Sequence, residues 1–521
     1  MGKTPHHPVN TRHLLLIILP FVLFILSPLL FLLTTSVVDD TGQLTLEHLK
    51  ILAVTSRQLG LIKNSLLLAG STSLATVLIG VPLAFFIHRT DIWCKKCLAA
   101  VCLVPLLLPP YIQALLWTGV SVPYIHTLAG GVFIFTLSFF PFVTIITGSG
   151  LQATEGLVEE AALMARGRLA TIWNVTLPLV APHITAGAII VFVFTIINFE
   201  VPDILRITVY PVEIFIHFSA YYDEKTATLL SLPLIGLTMA LIWWQMMVMR
   251  NKSYIALGFS RTGQPIFSLG RLRMPCFIGL LSMVTLCVIL PLGVLIKGAG
   301  GMETYIKAFQ SSRDHIYYSV AVAGASALIM TGFSFIVSYY LVRTRGWIST
   351  GLDYLIQLSL GIPSIVLGIG MIHVWNREWT DSVYTSTWIL IFAFVSGYSP
   401  FVVKVVSAKI SQIHPEWEEV AIMGTGSRIR TLLGIVLPLA TPGLMAGFFI
   451  GFILSLFNLG TALLVVPPGK GTLPISIYNF MHYGAMETVY AQSLILIAIA
   501  VTCGGILYLV YRLGFGGKIR T

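Results

Sequence analysis

Charge is scarce in this sequence. Of its 521 residues only 10% are Asp, Glu, Lys or Arg, against roughly 25% in an ordinary soluble domain, and 56% are hydrophobic. A water-soluble globular fold is excluded. A phosphate-binding G-x-x-x-x-G-K-[ST] loop is also missing: Gly469-Lys470 and Gly517-Lys518 lack the earlier glycine at the required spacing. The chain is therefore not an ATPase of that kind. Its six cysteines are scattered and offer no disulfide framework. Cys94 and Cys97 form a C-x-x-C beside Lys95 and Lys96, but no second pair completes a tetrahedral site, so metal ligands stay unassigned. No nucleophile, base and orienting group can be assembled, and no catalytic site is assigned.

What the sequence has is long apolar runs. A hydrocarbon layer about 30 Å thick takes roughly 20 apolar residues to cross as a helix. Twelve such runs occur, near 14–34, 64–87, 97–119, 131–150, 183–205, 227–249, 275–297, 318–341, 353–375, 386–406, 441–466 and 489–511. All are far longer than the roughly 10 residues of a barrel strand. The fold class is an all-α integral membrane protein, with broken helices expected at Pro109-Pro110 and Pro363. Lys3 and Arg12 precede the first run, which lacks a small-x-small cleavage site and reads as a retained span. With both termini cytoplasmic, Lys and Arg fall mainly on the cytoplasmic side. The net charge of +10 is thus a topology signal, and nucleic acid is not needed to explain it.

The chain is also a duplication. EEAALMARGRLATIWNVTLPLVAP at 159–182 returns as EEVAIMGTGSRIRTLLGIVLPLATP at 418–442. Glu159 and Glu160 match Glu418 and Glu419, Gly167 matches Gly426, and Pro178 and Pro182 match Pro438 and Pro442. Upstream, Pro141 matches Pro400, Gly70 matches Gly324, and Arg89-Thr90 matches Arg343-Thr344; downstream, Asn198 matches Asn458. Six spans separate the copies, so both face the same side and the halves are parallel six-helix repeats. The organisation is a first half at 1–249 with a polar loop at 155–182, a linker at 250–274, and a second half at 275–521 with its loop at 414–442.

Each polar loop reads as helix, turn, helix. Val158, Ala161, Ala162 and Ala165 share one helical face, with Glu159 and Glu160 mainly off it. Glycine permits the bend, and a Leu-Pro pair closes the second piece before the next span. A lipid-surface helix would favour Lys and Arg on its polar face. Paired glutamates with glycine and proline at nearly fixed spacing in both halves fit presentation to a protein groove better.

Glu160-Ala161-Ala162, Gly167 and Leu177-Pro178, with Glu419-Val420-Ala421, Gly426 and Leu437-Pro438, resemble the signature loop of bacterial ABC-importer permeases. Asn64-Ser65-Leu66 and the stretch 472-TLPISIY-478 resemble the same family. The resemblance implies that each loop is a coupling helix docking into a separate ATP-hydrolysing subunit. Its residues would be Glu159, Glu160, Ala161, Gly167, Pro178, Glu418, Glu419, Ala421, Gly426 and Pro438. Val420 and a Glu-to-Gly spacing one residue longer than usual are departures, and they leave Gly424 a rival to Gly426. The resemblance further implies two copies of a cytoplasmic ABC ATPase that carry ATP and Mg, with no cofactor on this chain. A periplasmic or extracellular solute-binding protein would dock on outer segments at 35–63, 206–226, 298–317 and 467–488. The location is the bacterial inner membrane, in contact with lipid.

Two halves fused in one chain are typical of the ferric-iron, thiamine and polyamine-type permeases. Ionisable residues inside a span mark a pathway by default, and Asn198, Glu200, Asp203 and Asn458 are the candidates. Alternatively, Asp203 pairs with Arg206 and Glu200 snorkels to the headgroups. Acids on the path favour a small cation such as ferric iron. Thiamine, a polyamine or a phosphonate are alternatives, and a twelve-span secondary carrier is the rival class.

Overall fold

A computed structural model describes residues 11–37, 55–120, 123–154, 156–249, 267–344 and 346–514. Most of the linker, 250–266, and part of the first outer segment, 38–54, lie outside the described residues. Among the described residues, nine helices are long and apolar enough to cross a membrane, or up to eleven if each of two bent pairs is one span. A shorter apolar helix covers Ile18–Thr34. The bent pairs fall at the expected prolines: Lys95–Leu107 meets Pro110–Gly119 at 84°, and Trp347–Gly361 meets Ser364–Trp375 at 108°. A proline ring clashes with the preceding turn and withholds an N–H, so the chain turns where it stands.

Two compact units emerge. One is Glu47–Gln310 with Ile477–Ile497; the other is Met1–Leu46, Ser311–Ser476 and Ala498–Thr521. They cut across the halves 1–249 and 275–521, because each half's first span packs within the unit built mainly from the other half. In the second unit Phe21 stacks on Phe333 with centroids 4.6 Å apart, and Ser396 Oγ donates to Ile25 O at 2.7 Å. In the first, Leu280, Met283 and Cys287 close a small apolar cavity with Leu83, Leu98 and Phe140.

Packing inside each unit uses the same residues twice. Apolar side chains gain little by leaving lipid for protein, so membrane helices associate through close van der Waals approach at small residues. A Cβ at Gly187 would sit 3.2 Å from Val143 Cα, and one at Gly447 would sit 3.0 Å from Val402 Cγ1. Gly187 and Gly447 are repeat counterparts, as are Val143 and Val402. The span ends away from the polar loops are tied in parallel fashion. Ser65 Oγ accepts from Tyr210 N at 2.9 Å, and Ser319 Oγ accepts from Leu473 N at 2.7 Å. Thr55 and Gln58 form a capping box that starts the helix Ser56–Arg89.

The loops depart from expectation at Leu-Pro. The second helical piece is not closed there; it continues through a π turn into the next span, as Arg168–Ile196 and Arg428–Leu456. The π turns are Ile172–Thr176 and Leu432–Val436. Leu177 N–H donates to Ile172 O and Leu437 N–H to Leu432 O. This five-residue step shifts the hydrogen-bond register just before a proline that has no N–H to donate, and the helix survives.

Overpacking costs about 1–3 kcal/mol. Gly187→Val and Gly447→Val are therefore expected to lower thermal stability in detergent by about that amount. Gly236→Ala, where the added atom meets nothing within 4 Å, is expected to leave it unchanged. Equal losses at all three positions would refute the packing account.

Candidate functional site

Each polar loop is held from inside by a buried ion pair. Arg89 ends the helix Ser56–Arg89, and its Nη2 lies 2.9 Å from Glu159 Oε2, with both side chains fully buried. Thr176 Oγ1 donates to Glu159 Oε1 at 3.0 Å. Arg89 Nη2 also donates to Leu151 O at 2.7 Å and to the Thr154 hydroxyl. Four segments meet there: the end of one span, the end of Leu128–Ala153, the loop helix Gly156–Arg166 and the start of the next span.

The second copy repeats the junction. Arg343 ends Met302–Arg343, and its Nη2 is 2.5 Å from Glu418 Oε1. Arg343 Nε donates to the same oxygen at 2.9 Å, and Tyr339 OH donates to Oε2 at 2.9 Å. Arg343 Nη2 also reaches Ile413 O at 2.8 Å. Burying a charge is costly unless it is paired and hydrogen-bonded. Both glutamates meet that condition, so they face the protein.

The paired glutamates of each loop differ in exposure. Glu159 is buried, whereas Val158 is 48% exposed and Ala161 is also exposed. Glu160 and Glu419 point to solvent. So do Met164 and Met423 at 93% and 82% exposure. Leu169 and Ile429, and Trp173 and Leu433, are further exposed counterparts. Pro178 and Pro438 are exposed, and Ala421 is half-buried. The bend is at Gly167, with φ +76°, and at Gly426, with φ +63°. Gly424 lies inside the helix Pro415–Thr425, so Gly426 takes the left-handed position that glycine fills most readily. Each loop therefore presents two apolar faces on either side of a glycine, braced by an internal ion pair.

Residues 76–243 and 330–513 match the family described as the binding-protein-dependent transport system inner membrane component. The chain belongs to that family. Each matched stretch contains one complete Arg–Glu junction and one loop. A multi-pass permease of this kind sits in the inner membrane, is not itself catalytic, and works with ATPase and solute-binding partners. The secondary-carrier reading is thereby set aside. An Fe(3+)-transport system permease protein, FbpB 2, from Haemophilus influenzae is 21% identical over 84% of this chain and 88% of its own length. A ferric transport system permease protein from Actinobacillus pleuropneumoniae is 22% identical over 84% and 69%. The spermidine/putrescine permease PotC of Escherichia coli is 27% identical over 35% of this chain and 67% of its own.

The four pathway candidates of this permease separate into two kinds. Asn198 Oδ1 accepts from Val201 N at 3.0 Å, and Asn458 Oδ1 accepts from Ala462 N at 3.0 Å. These matched asparagines cap the short helices that follow two spans. Asn458 Nδ2 also donates to Tyr398 OH. Glu200 is 9% exposed, too buried for the snorkelling alternative, and lies within electrostatic reach of the Tyr111 and Tyr478 hydroxyls. Asp203 Oδ2 accepts from Tyr478 OH at 2.8 Å; no ion pair joins it to Arg206 among the described residues.

Sequence reasoning missed Tyr111 and Gln113, whose buried hydroxyl and carboxamide have no hydrogen-bond partner among the described residues. Their signal was two polar residues directly after Pro109-Pro110 inside an apolar run. Among the described residues no three His, Cys, Asp or Glu side chains group to hold a metal.

Removing one partner of a buried ion pair costs about 3–5 kcal/mol, whereas replacing both by apolar residues is often neutral. Arg89→Met and Glu159→Leu are each expected to destabilise the permease strongly, and the double variant is expected to recover most of the loss. Additive losses in a double-mutant cycle of thermal unfolding would contradict the pair's role.

Proposed function

We propose that this permease carries a small cationic solute, ferric iron foremost, into the cell. Two copies of an ABC ATPase dock on the loops at 155–182 and 414–442, and both chain termini are cytoplasmic. The observation that carries the docking assignment is the matched pair of exposed apolar faces around Gly167 and Gly426, each fixed by its Arg–Glu junction. ATP binding draws the two ATPase subunits together, and each moves one loop. Because the loop helix, the π turn and the following span are joined end to end, that displacement passes directly to the transmembrane core.

The cationic cargo is supported by Glu200 and Asp203, two acids sequestered from lipid beside the tyrosines of Pro110–Gly119 and Leu473–His482. An anion would call for Arg or Lys at such a place. The long matches to ferric permeases favour the same reading. The solute-binding protein docks on the opposite face, on segments within 35–63, 206–226, 298–317 and 467–488. In this scheme Asn198 and Asn458 hold the turns that follow the path-lining spans.

The test is purification with the co-expressed ATPase followed by uptake in proteoliposomes. Met164→Asp with Met423→Asp, or Glu160→Lys with Glu419→Lys, is expected to weaken association by about tenfold or more, as loss of a central interface anchor does. Unchanged association with unchanged uptake would sink the docking assignment. Glu200→Gln is expected to reduce ferric-iron uptake while leaving assembly intact. Normal iron uptake in that variant removes Glu200 from the path.

A further inference from the structure

The last residues of the inter-half linker return to the first loop. Phe267 N donates to Arg89 O at 2.8 Å, forming an isolated parallel bridge between Thr90 and Phe267, and its ring lies 5.4 Å from that of Phe85. Leu269 N donates to Asp91 Oδ1 at 2.9 Å. Arg273 Nη1 is 3.9 Å from Asp91 Oδ2, and its guanidinium lies 4.7 Å over the Trp93 ring. The Leu269 N–H, aided by Arg273, holds the Asp91 carboxyl below the usual carboxylate range, so this partner is an anion at neutral pH. Arg168, directly after the left-handed Gly167, donates Nη1 to Ser268 O at 3.0 Å. One short segment thus bonds both to the span end that supplies the Arg89 anchor and to the loop's bend.

Among the described residues, Arg428, the counterpart of Arg168, makes no comparable bond to a passing strand. Among the described residues, the anchors and exposed faces repeat and this contact does not.

We propose that residues 267–273 are a strap that positions the first loop for its ATPase. The proposal rests on the docking assignment made above. Arg168 and Asp91 act in it as positioning residues: Arg168 ties the bend to the strap, and Asp91 holds the strap to the span end. The linker thereby does more than join two halves. It sets the orientation of one loop relative to the Arg89–Glu159 junction.

The test compares Arg168→Ala, Arg168→Lys and Asp91→Ala in the full chain co-purified with its ATPase. Amide hydrogen exchange is read over 157–171 and 416–431, together with kcat and KM for ATP. Loss of one hydrogen bond corresponds to about fivefold in a local opening equilibrium. Both alanine variants are expected to speed exchange in the first loop by about that factor, leave the second loop unchanged, and lower kcat with KM for ATP unaltered. Arg168→Lys is expected to restore part of the loss.

Asp91→Ala separates the strap from direct contact, because Asp91 holds the linker segment and not the loop. If only Arg168→Ala impairs hydrolysis and Asp91→Ala leaves first-loop exchange unchanged, the strap is overturned and the docking assignment stands. A wild-type chain that neither retains nor stimulates the ATPase overturns the docking assignment itself, and the strap's role with it.

Discussion

A guanidinium and a carboxylate buried together at the end of a membrane span set the geometry of each loop. Neither charge is tolerable there alone, so Arg89 and Glu159, and likewise Arg343 and Glu418, hold the loop helix in one rotation about its axis. That rotation decides what the rest of the helix shows. With the first glutamate turned inward, Met164 and Met423 turn outward, and the second glutamate of each pair is left to solvent. The adjoining carboxylate contacts with Thr176 and Tyr339 tie the same junction to neighbouring helix segments. In the proposed docking scheme, a push on the loop passes to these segments through the junction.

The spans were legible because length and apolarity are one-dimensional properties, and the breaks at Pro109-Pro110 and Pro363 followed from a missing donor. The duplication was legible as matched residues, and it brought Arg89-Thr90 and Arg343-Thr344 into view without saying what they touch. Their partners lie some 70 residues on, and only the folded chain brings them together. The split between the paired glutamates was not legible for the same reason: spacing does not show that a buried arginine turns the first of them inward. Spacing did not separate Gly424 from Gly426, since the difference lies in the sign of φ. Pro178 and Pro438 read as helix ends because the π turn that accommodates them leaves no mark in composition.

The two halves are alike in their internal packing and in their loop anchors, and they differ at the acids and at the linker. Gly187 and Gly447, Ser65 and Ser319, and Asn198 and Asn458 keep equivalent contacts. Glu200 and Asp203 have Gly460 and Leu463 in their places, so the acidic cluster belongs to one repeat. The proposed linker strap bonds to the first loop through Arg168. Such a division suits the proposed scheme, in which two ATPase contacts perform the same motion while a single path handles an asymmetric task.

The most direct test of the central claim is site-specific photo-crosslinking from Met164 and Met423 in the assembled transporter. The account predicts that both positions form adducts with the ATPase subunit, and that Tyr222, exposed on the proposed outer segment 206–226, forms none. Adducts from Tyr222 with none from either methionine would contradict it.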